Sequence, residues 1–359
     1  MPSNAEIGKA FAEMVKINGI DREVLESILK ESFTKVMQKR YGETSNFDVI
    51  VNMDRGVIEI YLYKTVVEEV QDPLLEIDKK TAEAKSGEEF EIGDEFVEEI
   101  SIDSFGRRYV LNLRQHLMQK VREIEKEITY KKFKELEGNI IAGEVYQIKS
   151  NSILLLYDKT EITFPKSEQI FKERYKKGDT IKVLIKSVER RPAGPLIIAS
   201  RADDLFLYKL FQSEIPEIED NEIEIKAIAR VPGERAKVAV VSNSIKIDAV
   251  GACVGQGGKR IHAIVRELSN ENIDIVGYSD DPIIYISRAL SPAKIYNIEL
   301  DKEHKHARVY ADADQISLLI GKDGQNIKLA SKLTGYQIDV VRDNLTTEKV
   351  TETEEEQEI

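Results

Sequence analysis

The chain repeats a segment of itself at a fixed distance, and that repeat narrows its architecture more than any other feature. Val-Gly-Gln-Gly-Gly-Lys-Arg-Ile, starting at Val254, returns as Ile-Gly-Lys-Asp-Gly-Gln-Asn-Ile, starting at Ile320. Gly255 matches Gly321, Gly258 matches Gly324 and Ile261 matches Ile327, each 66 residues on. Leu268 matches Leu333 at 65 residues, so the helix after the second copy is one residue shorter. The copies close on Ile273-Asp274-Ile275-Val276 and Ile338-Asp339-Val340-Val341, both apolar strand patterns. Self-similarity of this kind marks a duplicated module, here of about 65 residues. Residues 202–342, which alternate strand and helix patterns, are therefore expected to hold two copies of one unit.

Each copy reads as helix, G-x-x-G, amphipathic helix, apolar strand. Glycines at the two fixed positions let the chain turn sharply and let another backbone come close. The helix that starts directly after the turn directs unpaired N–H groups and the positive end of its dipole outward. Together these suit a sugar-phosphate backbone. The arrangement is that of the KH module, whose G-x-x-G loop clamps about four nucleotides. One such turn alone would be read as a helix cap; two in matched context point to tandem KH domains. The RNA-binding candidates are Gly255, Gln256, Gly257, Gly258, Lys259 and Arg260 in the first copy. In the second they are Gly321, Lys322, Asp323, Gly324, Gln325 and Asn326. Asp323 is the discordant member, because a carboxylate repels phosphate. Bases would lie beside the following helices, against Ile261, Ile264, Ile327 and Ala330.

Upstream, the pattern changes three times. Phe11, Met14, Val15, Leu25, Ile28, Leu29 and Phe33 recur at helical steps, interrupted at Gly19, with Asp21 able to cap the second helix. Asp54-Arg55-Gly56 supplies a turn, after which Ile58, Ile60 and Leu62 alternate with Glu59, Tyr61 and Tyr63 as in a strand. From Arg107 to Leu136 one long helix is expected, with Val110, Leu113, Leu117, Val121, Ile124 and Ile128 along one seam. Arg107, Arg108, Arg114, Lys120, Arg122 and Lys126 lie on its other face, and Glu137-Gly138 ends it. Five short strands follow at 140–148, 152–157, 161–164, 180–188 and 196–200, separated by turn residues. Five strands in so short a span suggest a small OB-fold barrel.

The bulk charge speaks against nucleic acid until it is divided along the chain. The 359 residues carry 52 Lys+Arg against 65 Asp+Glu, a net charge of -13. Residues 1–100 are net -11 and residues 343–359 net -6, whereas 101–342, with both glycine turns, is net +4. The barrel segment alone holds 12 bases and 7 acids. A basic face is thus available in the middle of the chain. The acidic first hundred residues suit a protein partner and repel stray RNA. The terminal Thr-Glu-Thr-Glu-Glu-Glu-Gln-Glu-Ile reads as a disordered acidic tail. A single cysteine, Cys253, excludes an intrachain disulfide and suits a cytoplasmic protein. The apolar runs are too short to span a bilayer, and the first residues lack a signal-peptide segment. No G-x-x-x-x-G-K-[ST] motif is present, which argues against an NTPase.

Ala-Arg-Val-Pro-Gly-Glu-Arg-Ala-Lys-Val-Ala-Val from Ala229, the two glycine turns with their flanks, and Ser291-Pro292-Ala293-Lys294 resemble the NusA family of bacterial transcription elongation, termination and antitermination factors. The resemblance is densest over 200–342 and chiefly architectural over 1–100. It implies a multidomain α+β chain: an N-terminal α/β domain with a long connecting helix over 1–137, an S1-type OB barrel over 138–201, type II KH domains over 202–280 and 281–345, and a tail over 346–359. It also implies that the N-terminal domain docks on RNA polymerase core while barrel and KH domains hold single-stranded nascent RNA, with other Nus factors as further partners. The expected protein is a non-catalytic monomer with no cofactor and no metal. Arg230 and Arg235, in the first KH strand pair, become RNA-facing candidates on this reading, the alternative being an exposed hairpin charge. Lys149 and Lys166 become backbone contacts from the barrel. Two departures stand out. Some members carry acidic helical repeats after the second KH domain, and this sequence ends at Ile359, leaving their function absent or supplied elsewhere. Asn151 and Leu154 occupy barrel positions where stacking aromatics are usual; Tyr146, Tyr157 and Phe164 remain as substitutes or as packing residues. Weak RNA contact, mainly by charge, is expected of this barrel.

Other signals point elsewhere. His304 and His306 form an H-x-H pair without a third ligand nearby. His262 could touch RNA or simply lie on a helix surface. Cys253 reads as a small buried thiol. Asp203-Asp204 and Asp280-Asp281 read as helix caps, the latter before Pro282. An RNA-decay enzyme would need a large catalytic core that residues 1–137 do not hold, and a ribosome-associated RNA chaperone is the other alternative.

Overall fold

The computed structural model describes residues 22–42, 46–52, 57–100 and 107–342. The helix expected around Phe11, Met14 and Val15, the break at Gly19, the cap at Asp21, the turn at Asp54-Arg55-Gly56 and the acidic tail lie outside the described residues. The chain divides into two compact units, residues 1–131 and 132–359.

In the first unit, α1 (Arg22–Tyr41) buries Ile28, Leu29, Phe33, Val36 and Met37 along one stripe at steps of three and four. That stripe packs on β1 (Phe47–Asn52) and β2 (Val57–Val67), an antiparallel pair whose Val49, Val51, Ile58 and Ile60 face it. β3 (Glu76–Asp78) runs parallel to the end of β2. α2 (Lys79–Ser86) follows, its first turn capped by Asp78, which accepts from the Thr81 N–H at 3.0 Å. β4 (Glu95–Glu99) pairs antiparallel with β2. α3 (Arg107–Glu135) adds Leu117 and Val121 to the core, but Ile128, expected on the same seam, is exposed.

The second unit begins with the last turn of α3, where Phe133 is fully buried and meets Tyr157 edge-on at 6.1 Å. β5 (Ile140–Ile148), β6 (Ser152–Tyr157), β7 (Thr160–Pro165), β8 (Thr180–Glu189) and β9 (Leu196–Ser200) then close a barrel in the order β5-β6-β7-β9-β8. Closure leaves no long free edge. Along β5, Ile141, Gly143 and Val145 face inward while Ala142, Glu144 and Tyr146 face out, the alternation of a sheet with one wet face.

The repeat then appears twice as α-β-β-α-α-β. The first copy is α4 (Asp204–Glu214), a short α5 (Pro216–Glu219), β10 (Ile223–Val231), β11 (Arg235–Ser242), α6 (Ala249–Val254), α7 (Lys259–Glu267) and β12 (Asn272–Gly277). The second is α8 (Pro282–Ala289), β13 (Asn297–Asp301), β14 (His306–Ala311), α9 (Ile316–Ile320), α10 (Gln325–Thr334) and β15 (Gln337–Arg342). In both, the first two strands are antiparallel and the third lies parallel beside the second. Asp203 and Asp281 cap α4 and α8 by accepting from the N–H two residues on, each at 2.9 Å.

Barrel and KH copies share buried cores. Ile170 and Leu184 of the barrel belong to one cluster with Phe206, Phe211 and Ile264. Ala229, Ala239 and Val276 of the first KH sheet belong to another with Ile286, Leu329 and Ala330 of the second copy. Arg201 fastens the first of these joints. It donates to both Glu173 carboxylate oxygens (2.8 and 2.6 Å), to the Lys182 carbonyl (2.6 Å), and to the carboxylate and carbonyl of Glu267 (2.9 and 2.6 Å). With every donor of so buried a guanidinium satisfied, the barrel is tied to the end of α7 in the first KH copy.

Candidate nucleic-acid interface

The two glycine turns have the same backbone. Gly255 and Gly321 sit at φ 72°, ψ 169° and φ 73°, ψ 174°. Gly258 and Gly324 are left-handed, at φ 74°, ψ 12° and φ 72°, ψ 16°. The third position is also left-handed, at φ 62° for Gly257 and φ 55° for Asp323. Space explains which residues are allowed. A Cβ on Gly255 would stand 2.9 Å from the Arg260 Cγ, and one on Gly321 only 2.7 Å from the Asn326 Cβ. A Cβ on Gly257 would meet nothing within 4 Å. The third position therefore accepts the residue type that best tolerates left-handed backbone, and the second copy has Asp there.

Because the residue before each following helix is glycine, no side chain caps α7 or α10. The helix starts directly on the turn with no capping side chain, which suits an anion site, while the Lys259 and Gln325 N–H groups bond back to the Gln256 and Lys322 carbonyls. Gln256, Gly257 and Lys259 are exposed at the first turn, and Lys322 and Asp323 at the second.

The residue two past each turn, by contrast, serves the fold. Arg260 reaches back to the Ala252 carbonyl (2.8 Å) and forms an ion pair with Glu217 (2.9 Å). Asn326, at the matched position, is 1% exposed and donates to the carbonyls of Leu290, Leu318 and Leu319 at 3.0, 3.3 and 3.1 Å. Leu318 matches Ala252 in the repeat, so both side chains tie the helix after the turn to the one before it. Asn326 is thus a lock inside the module and not an RNA contact. Gln325 is engaged as well, its amide donating to Glu234 in the β10–β11 hairpin of the first copy.

Arg230 is likewise corrected. Its side chain and that of Glu271 are fully buried, with Nε and Nη2 donating to the two carboxylate oxygens at 2.7 and 2.9 Å and Nη1 to the Asp203 carbonyl at 2.9 Å. A guanidinium so enclosed does not reach RNA. Arg235 is partly exposed but paired with Asp274 at 2.8 Å, which also holds the buried Lys237. Of the expected base-facing residues, Ile264 and Ala330 lie in the cores, while Ile261 and Ile327 keep partial exposure.

On the barrel, Lys149 and Lys166 are exposed and flank one loop, where the Lys149 N–H donates to the Ser152 carbonyl and the Lys166 N–H to the Asn151 carbonyl. Phe164 is buried and stacks edge-on with Tyr175 at 5.4 Å; Tyr157 packs on Phe133. Tyr146 is exposed, with the Lys177 ammonium 5.7 Å from its ring centre. The residue that the strand alignment overlooked is Phe171, 64% exposed in the β7–β8 connection. The adjacent Lys172 sits 5.5 Å from its ring and donates to the Gly233 carbonyl of the KH hairpin. The interleaved run Phe-Lys-Glu-Arg-Tyr-Lys-Lys at 171–177 was its signal.

The other groups have ordinary partners. Cys253 is buried, and desolvation pushes its thiol up to about 12. His304 pairs with Asp301 and His306 with Asp339, each at 2.8 Å. Among the described residues no helix is long and apolar enough to cross a membrane.

A closed five-strand barrel fused to two type II KH modules, each with an open glycine turn, defines the class: a tandem-KH nucleic-acid-binding protein with an OB-type barrel. The chain matches the NusA-like first KH domain over residues 201–278, the NusA-like second KH domain over 282–348 and the NusA N-terminal domain over 6–127. It is 39% identical over 349 residues to the transcription termination/antitermination protein NusA of Thermus thermophilus, covering 93% of this chain and 89% of that one. It is 36% identical over 337 residues to the NusA of Bacillus subtilis, covering 94% and 91%. Among solved structures, the solution structure of the B. subtilis NusA N-terminal domain aligns with 34% of this chain and 98% of its own, at 28% identity and a TM-score of 0.26. The chain belongs to the NusA family.

Proposed function

We propose that this chain, an RNA-binding transcription factor, docks on RNA polymerase core through residues 1–137 and holds emerging single-stranded RNA on its barrel (138–201) and KH domains (202–280 and 281–345). By retaining the transcript it modulates pausing, termination and antitermination. It acts without catalysis, as a cytoplasmic monomer, alongside other Nus factors. The observation that carries the RNA assignment is the pair of superposable turns, each opening an uncapped helix start to an approaching backbone. Gln256, Gly257, Lys259 and Lys322 are the loop contacts, with Lys149 and Lys166 contributing charge from the barrel. Arg235 has a lesser part because Asp274 neutralises it. The acidic first hundred residues favour a protein partner for that domain. The test is to measure pausing by cognate polymerase with and without the chain, together with co-purification of the two. Pausing left unchanged and no association would refute it.

A further inference from the structure

One of the differences between the two copies lies across the last glycine of the turn, and it is chemical. His262, four residues past Gly258, folds its ring onto the first turn. Its Nδ1 is 2.6 Å from the Gly258 carbonyl oxygen, and a Cβ on Gly258 would stand 2.7 Å from the ring. Lys328 holds the matched place in the second copy, its Nζ donating to the Asp323 carbonyl at 3.4 Å and its chain lying over Gly324. A carbonyl oxygen only accepts, so Nδ1 must carry the proton that it shares with Gly258. In the neutral ring Nε2 then keeps a lone pair. The side chain is exposed. Lysine in the same place offers only donors.

The geometry points to His262 Nε2 as the acceptor of a ribose 2′-hydroxyl, which makes the first KH turn a reader of ribose against deoxyribose. Lys328 holds phosphate at the second turn and is indifferent to the sugar. The inference rests on the proposed function, in which the turns grip a nucleic-acid backbone. The 2′-hydroxyl is the group by which a protein tells RNA from DNA at a given site. A backbone gripped by Gly255 to Gly258 passes the exposed ring of His262, which lies against Gly258 and leaves Nε2 as an acceptor. An Nδ1–H held by Gly258 fixes the ring before the sugar arrives, so little rotamer freedom is lost on binding.

The test is affinity of the full chain for a degenerate twelve-nucleotide single-stranded RNA and for the same library with 2′-deoxy or 2′-fluoro sugars, read by fluorescence anisotropy. The fluoro sugar keeps the ribose-like pucker but has no hydroxyl to donate. His262→Phe should weaken binding to the RNA library about fivefold, the scale of one hydrogen bond, and leave the other two affinities unchanged. His262→Gln, whose amide presents N–H and oxygen at similar spacing, should keep the wild-type ratio. Lys328→Gln should weaken all three libraries together. An unaltered RNA-to-deoxy ratio in His262→Phe, or an equal loss on all three libraries, overturns the assignment. Wild-type chain that binds none of the libraries refutes the proposed function itself.

Discussion

Replacing Glu271 by glutamine tests whether Arg230 belongs to the core or to the RNA surface. Both side chains are 0% exposed, and the carboxylate accepts from Arg230 Nε (2.7 Å), Arg230 Nη2 (2.9 Å) and the Gly233 N–H (2.7 Å). The amide of the Glu271→Gln variant would keep one acceptor oxygen and turn an NH2 group toward donors, leaving a buried guanidinium without its counter-charge. Breaking such a pair from one side costs about 3–5 kcal/mol, a large part of a typical total stability of roughly 5–15 kcal/mol. Arg230→Met should cost a similar amount from the other side. The double variant should lose less than the sum of the two, because the stranded charge is then gone. The assay is urea unfolding followed by circular dichroism, paired with RNA affinity measured under native conditions. Folded Arg230→Met should bind RNA within about twofold of wild type, a difference of roughly 0.4 kcal/mol. Stability changed by less than about 1 kcal/mol, together with a tenfold loss of RNA affinity, would show that the arginine reaches RNA and that the buried pairing is wrong.

The turns and the core give further expected outcomes. Gly257→Asp should leave thermal stability unchanged, because Asp323 already occupies that conformation, yet weaken RNA binding; Gly255→Ala should cost about 1–3 kcal/mol through positive φ and the approach to Arg260. Lys259→Ala and Lys322→Ala should each flatten the log–log salt dependence of RNA binding by about one, and an unchanged slope in either removes that lysine from the interface. Burial holds the Lys237 ammonium below its ordinary value of 10.5, so the unfolded chain keeps that proton to higher pH and this residue's contribution to stability rises with pH up to that value. Unfolding free energies of wild type and Lys237→Met should therefore diverge in favour of wild type as pH rises from neutral toward that ordinary value; a constant difference would refute the sign.

Much of the architecture was legible in the sequence, and the reason is local. Each barrel strand is framed by turn residues, so its limits were read to within a residue or so. The glycine turns were legible because positive φ and close approach leave glycine as the residue for those positions, and the 66-residue spacing placed them in register. Ile128 was misplaced because a helical period constrains a helix face only where something packs against it. Phe171 was missed because its signal lies in a connection and not in the strand where stacking rings are usual.

The roles of individual polar side chains were decided elsewhere. Arg230, Arg260 and Asn326 are as basic or as amide-bearing as any RNA contact, and sequence by itself could say only that they flank a strand or a turn. What each does depends on Glu271, on Glu217 and Ala252, and on the carbonyls of Leu290, Leu318 and Leu319, partners from 7 to 43 residues away. Sequence alone determined the modules, their order and the turns that open on the interface, because these follow from backbone conformation and short-range periodicity. Only the tertiary structure decided which cations are spent inside and which remain at the surface, and how the barrel is tied to the first KH copy. Those depend on which groups lose water together, and desolvation is a property of the packed chain.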